Sequence, residues 1–299
     1  MKKLGLLLVL SFAISVVSAQ SNRINFEEYD LDNGLHVILH EDHSTPIVAV
    51  TVMYHVGSKN EDPSRTGMAH FFEHLLFEGS ENIGRGEFSR YIEDAGGTLN
   101  ANTTNDRTFY YEILPSNQLE LGLWLESERM LHAKVDIEGI ETQREVVKEE
   151  KRLRVDNQPY GKLFEETMVR AYKEHPYQWT TIGSLEHLDA AQESEFIDFY
   201  KKFYIPNNAV LSIAGDINID DTKKLIKTYF SDIPRGTDIV QPTVVEPAQL
   251  SETRDTIWGK DQLPLVVQAY HIPAQGTPEF YAVDMLNTVL SGGNSSRLN

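Results

Sequence analysis

Polar and apolar positions alternate along 35–39, and 47–55 runs apolar with β-branched residues, so both segments predict strands. The Asp32-Asn33-Gly34 turn opens the first. Over 67–78 the apolar spacing becomes helical, and 87–95 predicts a second helix stopped by Gly96-Gly97. Segments 98–104 and 107–114 read as a hairpin turning at Asn105-Asp106. Helices follow at 118–131, 137–153 and 161–172, then at 193–203, halted near Pro206. A buried strand at 208–215 and a helix at 220–230 complete this part. Strands and helices without regular βαβ alternation predict an α+β layer fold rather than a parallel sheet.

Beyond residue 232 the pattern weakens. Segment 233–253 carries Pro234, Pro242 and Pro247 with little periodicity, which marks a linker or an irregular crossing. Strands at 256–258 and 265–271 and a helix at 278–290 are expected after it. That order begins like the first domain, yet too few residues remain to close a second one of equal size. The expected division is a signal peptide at 1–19, a first domain at 20–235, a linker at 236–253, and an incomplete second domain of the same type at 254–299.

The first residues carry an address. Met1-Lys2-Lys3 is basic, 4–17 is apolar, and Val17-Ser18-Ala19 offers small residues for cleavage. An uncleaved anchor is the alternative, but roughly 14 apolar-rich residues fall short of the about 20 that span a hydrocarbon core. The expectation is an exported protein, periplasmic or extracellular, without stable membrane insertion after cleavage. Across all 299 residues, 27 Lys and Arg face 45 Asp and Glu, a formal net charge of −18. Such acidity excludes a nucleic-acid backbone as partner. With no cysteine there is no disulfide framework, thiolate metal site or cysteine nucleophile.

Chemistry concentrates in His70-Phe71-Phe72-Glu73-His74. On a helix, His70 and His74 lie about 40° apart and Glu73 about 60° to the other side of His70. Met68, Phe71, Phe72, Leu75 and Leu76 take the opposite face. Two His at i and i+4 can meet one metal ion, and the carboxylate between them can reach water on that ion without being a ligand. That is the arrangement of metal-assisted hydrolysis. The plainer alternative is two surface His on an amphipathic helix. A zinc site with an open position needs a third protein ligand. Glu150 is the best candidate, set among Val146, Val147 and Leu153 as an expected apolar face. An ion pair with Arg154 at i+4 is the other reading of Glu150.

At these residues the sequence resembles the pitrilysin/insulinase family of inverted-motif zinc peptidases, which includes mitochondrial processing peptidase. The likeness runs on through Gly96-Gly97-Thr98-Leu99-Asn100-Ala101, Arg144 to Glu150, His175-Pro176-Tyr177, Tyr204 to Asn208 and the segment 290–298. The resemblance implies an α+β domain in which helices pack on an antiparallel sheet, with His70, His74 and Glu150 as ligands of one Zn2+ and Glu73 as general base. It implies an edge strand at Leu99, Asn100 and Ala101, where a peptide substrate adds as a further strand. It also implies a second homologous half or partner subunit that supplies further substrate-binding groups. One departure stands out: some relatives carry an acidic residue seven positions before the ligand Glu, where this chain has Gln143. The expected function is an exported zinc metalloendopeptidase acting on short unfolded peptides. The competing readings are a non-catalytic peptide-binding or partner subunit, and a zinc hydrolase of non-peptide substrates.

Overall fold

Strand alternation builds the sheet, and the computed structural model describes it within residues 24–298, residues 260 and 262 excepted. The expected signal peptide lies outside the described residues. Six strands form one sheet: β1 (Glu27–Asp30), β2 (His36–Glu41), β3 (Ile47–Tyr54), β4 (Thr98–Thr103), β5 (Thr108–Pro115) and β6 (Ala209–Gly215). Their spatial order is β1-β2-β6-β3-β5-β4. All neighbours are antiparallel except β2 and β6, so the sheet is mixed rather than purely antiparallel. The long helical excursion before β6 lets that strand enter the centre of the sheet in the parallel sense relative to β2.

One sheet face is apolar at every second position. Val48, Val50, Val52 and Tyr54 of β3 are buried there with Val37, Leu39, Leu211 and Ile213. The α-helices through residue 230 are α1 (Met68–Leu75), α2 (Glu87–Asp94), α3 (Leu119–Leu131), α4 (Ile137–Lys151), α5 (Leu163–Ala171), α6 (Leu185–Ala190), α7 (Glu193–Phe203) and α8 (Ile219–Phe230), and all but α5 bury side chains in the core. Helix α1 sinks Phe71 and Phe72 into an aromatic layer from α7, with Phe71 4.7 Å from Phe196 and Phe72 5.3 Å from Phe199, centroid to centroid.

Beneath α1 lies a buried charge cluster that the apolar pattern does not announce. Arg129 of α3 bonds Glu126 at 3.0 Å and donates to the Leu76 carbonyl at 2.8 Å. Its guanidinium rests against the rings of Phe77, Phe88 and Tyr110. Glu112 of β5 stands 3.7 Å from the same guanidinium. Burial, with Glu126 close by, pushes the Glu112 carboxyl well up. A proton on Glu112 leaves Arg129 and Glu126 as a neutral pair.

The expected strands at 256–258 and 265–271 do not form. Among the described residues no strand lies beside them to complete a ladder, and Trp258 is 91% exposed. The segment expected to be a linker is nevertheless tied down. Glu246 accepts the backbone N–H groups of Lys173, Glu174 and His175 at 2.8, 3.0 and 2.8 Å. Helix α9 (Pro278–Ser291) appears where the pattern places it, with Tyr281, Met285 and Leu286 exposed.

Two backbone segments meet at the start of α1. Gly183 has φ +64, and a Cβ there would sit 2.4 Å from the Gly67 nitrogen. Lys151 of α4 holds the Gly183 carbonyl at 2.9 Å, fixing this contact from the other side. Gly183→Ala is therefore expected to destabilise the fold by roughly 2–5 kcal/mol, combining a left-handed backbone with overpacking. Urea unfolding measures it; an unchanged midpoint would show that 180–184 moves aside freely.

Candidate metal centre

Helix α1 starts from Gly67, whose φ of +98 turns the chain into the helix and whose missing side chain leaves no cap of its own. Glu61 takes over that task, accepting the N–H of Gly67 and of Ala69 at 2.9 Å each. At the other end, Tyr110 Oη donates to the Phe72 carbonyl at 2.9 Å, and Arg129 holds Leu76. The helix is thus pinned at both ends, and His70 and His74 leave the same face on adjacent turns. Their ring centroids are 4.9 Å apart at 79°.

Helix α4 delivers the third group. Asp136 caps it by accepting the Gly139 N–H at 2.8 Å. Its buried face is Ile140, Arg144, Val147 and Lys151, which corrects the expected apolar face. Val146 and Leu153 are 43% and 55% exposed, because that side of α4 meets solvent rather than α1. Glu150 follows Val147 by three residues, so it flanks the buried stripe and faces the imidazoles. Its Oε2 lies 3.1 Å from His74 Nε2 and 3.5 Å from His70 Nε2. A tetrahedral zinc site with ligands at about 2.0–2.1 Å sets its donor atoms roughly 3.3 Å apart, so this cluster has the spacing of a metal's ligand shell. Among the described residues it is the cluster of His and carboxylate donors close enough to hold one ion.

Glu150 also makes the ion pair offered as its alternative reading, with Arg154 Nη1 2.6 Å from Oε1. The two readings coexist, one on each oxygen. Gln143 does not bond the three donors: its amide donates to Glu78, and its Oε1 is buried without a partner. His70 Nδ1 is likewise buried without a partner.

The electrostatics suit ligation. Burial first, and the neighbouring His74 second, push His70 down to about 4, keeping its imidazole neutral and its lone pair available. The hydrogen bond from His74 holds the Glu150 carboxyl below its ordinary value. Glu73 moves the other way. Burial raises its proton affinity, while the nearby Thr103 hydroxyl opposes the rise without making a hydrogen bond of regular geometry.

Strand β4 lies alongside α1 at the edge of the sheet, with β5 as its single strand partner among the described residues. Leu99 and Ala101 are half-buried and Asn100 is exposed, its Oδ1 accepting the Ala101 N–H at 2.9 Å. Glu61, Tyr110 and Arg129 escape sequence reasoning. An acid shortly before a glycine-started helix is a signal that could have found Glu61; nothing local marks the other two.

Comparison with known proteins follows this geometry. The family described as insulinase (peptidase family M16) matches residues 36–184, and the peptidase M16 inactive domain matches 191–299. The zinc protease PqqE of Helicobacter pylori is 33% identical, over 99% of this chain and 68% of that protein. A crystal structure of a protease from Helicobacter pylori superposes with a TM-score of 0.81 and 30% identity, over 92% of this chain and 67% of that one. The first half of the periplasmic protease PqqL from Escherichia coli gives a TM-score of 0.66 at 25% identity, over 74% and 49% of the two chains. The chain spans 60% to 68% of the length of the first two curated relatives it matches. The sheet described above takes β6 from the part matched by the inactive-domain profile, so the two matched segments share one core.

The depressed value at His70 carries a pH consequence. Between about pH 4 and 6.5 the unfolded chain binds a proton at His70 that the fold refuses. The contribution is fully present above pH 6.5 and lost as pH falls towards 4. In urea unfolding of metal-free protein, the stability of wild type relative to His70→Gln should therefore rise from pH 4.5 to 7. A constant difference would contradict it.

Proposed function

Because the chain belongs to the insulinase family of peptidases, peptidase family M16, we propose that it is an exported zinc metalloendopeptidase hydrolysing short unfolded peptides. One observation carries this reading: three donor atoms at ligand spacing, with Glu73 on the same short helix yet outside the cluster. His70, His74 and Glu150 are the ligands, and a zinc ion held by them would supply Lewis acidity and make water a stronger acid. Glu73 takes the proton from the attacking water and gives it to the leaving amine. Its raised proton affinity suits a group that must both accept and return a proton near neutral pH. The substrate lies along β4, whose outer edge at Leu99, Asn100 and Ala101 pairs with no other strand among the described residues and offers its main chain a ladder once the Asn100 side chain gives up the Ala101 N–H.

The proposed division places the catalytic domain at 20–235 after a signal peptide at 1–19, a linker at 236–253, and the start of a second, similar domain at 254–299. A second homologous half or a partner subunit then completes the substrate chamber. Export agrees with the amino-terminal address and with the periplasmic location in the name of the Escherichia coli relative. Among the described residues no helix is long and apolar enough to cross a membrane. A non-catalytic peptide-binding subunit is the second reading, and the intact set His70, Glu73, His74 and Glu150 weighs against it.

The test is cleavage of a quenched, unstructured basic peptide by the zinc-loaded protein and by Glu73→Gln. The variant should retain stoichiometric zinc and lose about 10²- to 10⁴-fold in rate, the usual contribution of a general base. Equal rates would sink the mechanism. Silence in both with stoichiometric zinc would point to a missing second half or partner, and silence without zinc would support the binding-subunit reading.

A further inference from the structure

Glu150 divides its two oxygens between different tasks. Oε2 faces both imidazoles, at 3.1 and 3.5 Å, while Oε1 is held by Arg154 at 2.6 Å. The partners differ sharply in setting, since the Glu150 side chain is 13% exposed and that of Arg154 is 76% exposed. Arg154 stands in the widened turn at Arg152–Asp156 that continues α4, so its backbone is fixed by the same helix that carries Glu150. An unrestrained carboxylate offers two equivalent acceptors and can close on a cation with both. Here one acceptor is already engaged in a close ion pair, and the imidazoles are left with the other.

Resting on the ligand assignment proposed above, we infer that Arg154 is a positioning residue that restricts Glu150 to one-oxygen ligation. The gain is an uncrowded metal. Two imidazole nitrogens and one oxygen make three protein donors, and the fourth position stays free for the chemistry. A second oxygen from Glu150 would compete for that position. The positive charge of Arg154 also withdraws density from the carboxylate, which limits how tightly Glu150 closes on a cation. Arg154 makes no direct claim on the substrate in this role; it acts through Glu150.

Co2+ is the probe, because its visible absorption reports coordination number independently of turnover. Wild type, Arg154→Met and Arg154→Lys would each be loaded with Co2+ in the full chain, with circular dichroism confirming the fold of these exposed-site variants. Wild type should show the intense bands of four-coordinate Co2+. Arg154→Met should show weaker bands shifted to shorter wavelength, as Glu150 brings in its second oxygen. Arg154→Lys, which keeps a cation in reach of Oε1, should move the spectrum back towards wild type. Superimposable spectra for wild type and Arg154→Met would overturn the inference and leave the ligand assignment intact. Loss of Co2+ from Arg154→Met would also overturn it, since freeing an oxygen should not abolish binding. Failure of wild type to bind stoichiometric Co2+ would overturn the ligand assignment itself, and this inference with it.

Discussion

A helix of eight residues does not hold its shape in water through its own hydrogen bonds, and the helix bearing His70, Glu73 and His74 has that length. Its geometry is borrowed from its surroundings. The carboxyl oxygens of Glu61 accept two unpaired N–H groups at the amino end, and a guanidinium, Arg129, opposite in sign to the terminus it meets, occupies the carboxyl end. Between them Phe71 and Phe72 are driven into the aromatic layer of α7, so the helix cannot rotate without exposing two rings. Rotation is the motion that would separate the imidazoles from Glu150. Holding the helix and holding the metal site are therefore one problem, solved mostly by residues that touch neither metal nor substrate.

Burial raises the proton affinity of both carboxylates beside the imidazoles, and hydrogen bonding reverses the outcome at only one of them. Glu150, bonded by His74 and paired with Arg154, is kept ionised. Glu73, half-buried and without a cation bonded to it, gains proton affinity. Two groups of the same chemical type are thus pushed apart by their settings, the pattern by which acid–base roles are divided among like residues. Apolar packing supplies the low-dielectric environment, and the placement of a few hydrogen bonds decides which carboxylate feels it more.

Most of the fold was legible from spacing alone. The strands at 36–41, 47–54, 98–103, 108–115 and 209–215 and the helices from 68 to 230 lie where period two and period 3.6 place them, within a few residues. Strand β1 was not legible, because Glu27–Asp30 is polar and forms through its ladder to β2 rather than through burial. The short α6 was missed because six residues carry too little periodicity. The strands expected at 256–258 and 265–271 show the converse. An apolar run is permission to form a strand, and among the described residues no strand lies beside these runs to complete a ladder. At the site, the His pair and Glu150 were legible because i, i+4 geometry is local. The reasoning for Glu150 leaned on Val146 and Leu153, which prove exposed, while Val147 alone of the three is buried. Glu61, Tyr110 and Arg129 act across 6 to 53 residues of sequence, and no periodicity encodes such a reach.

The cluster of Arg129, Glu126 and Glu112 has a consequence for how this sequence can change over generations. Removing Arg129 or Glu126 alone strands a buried charge, at about 3–5 kcal/mol, whereas replacing the charged pair with apolar residues of similar volume is often neutral or better. Glu112, carrying a proton, can change by itself, but the two charged members on α3 must change together. Either single step at that pair passes through a protein close to unfolding, given the narrow stability margin of natural domains. Descendants of this chain are confined to the charged solution by the order in which mutations arrive, whether or not that solution is the most stable one.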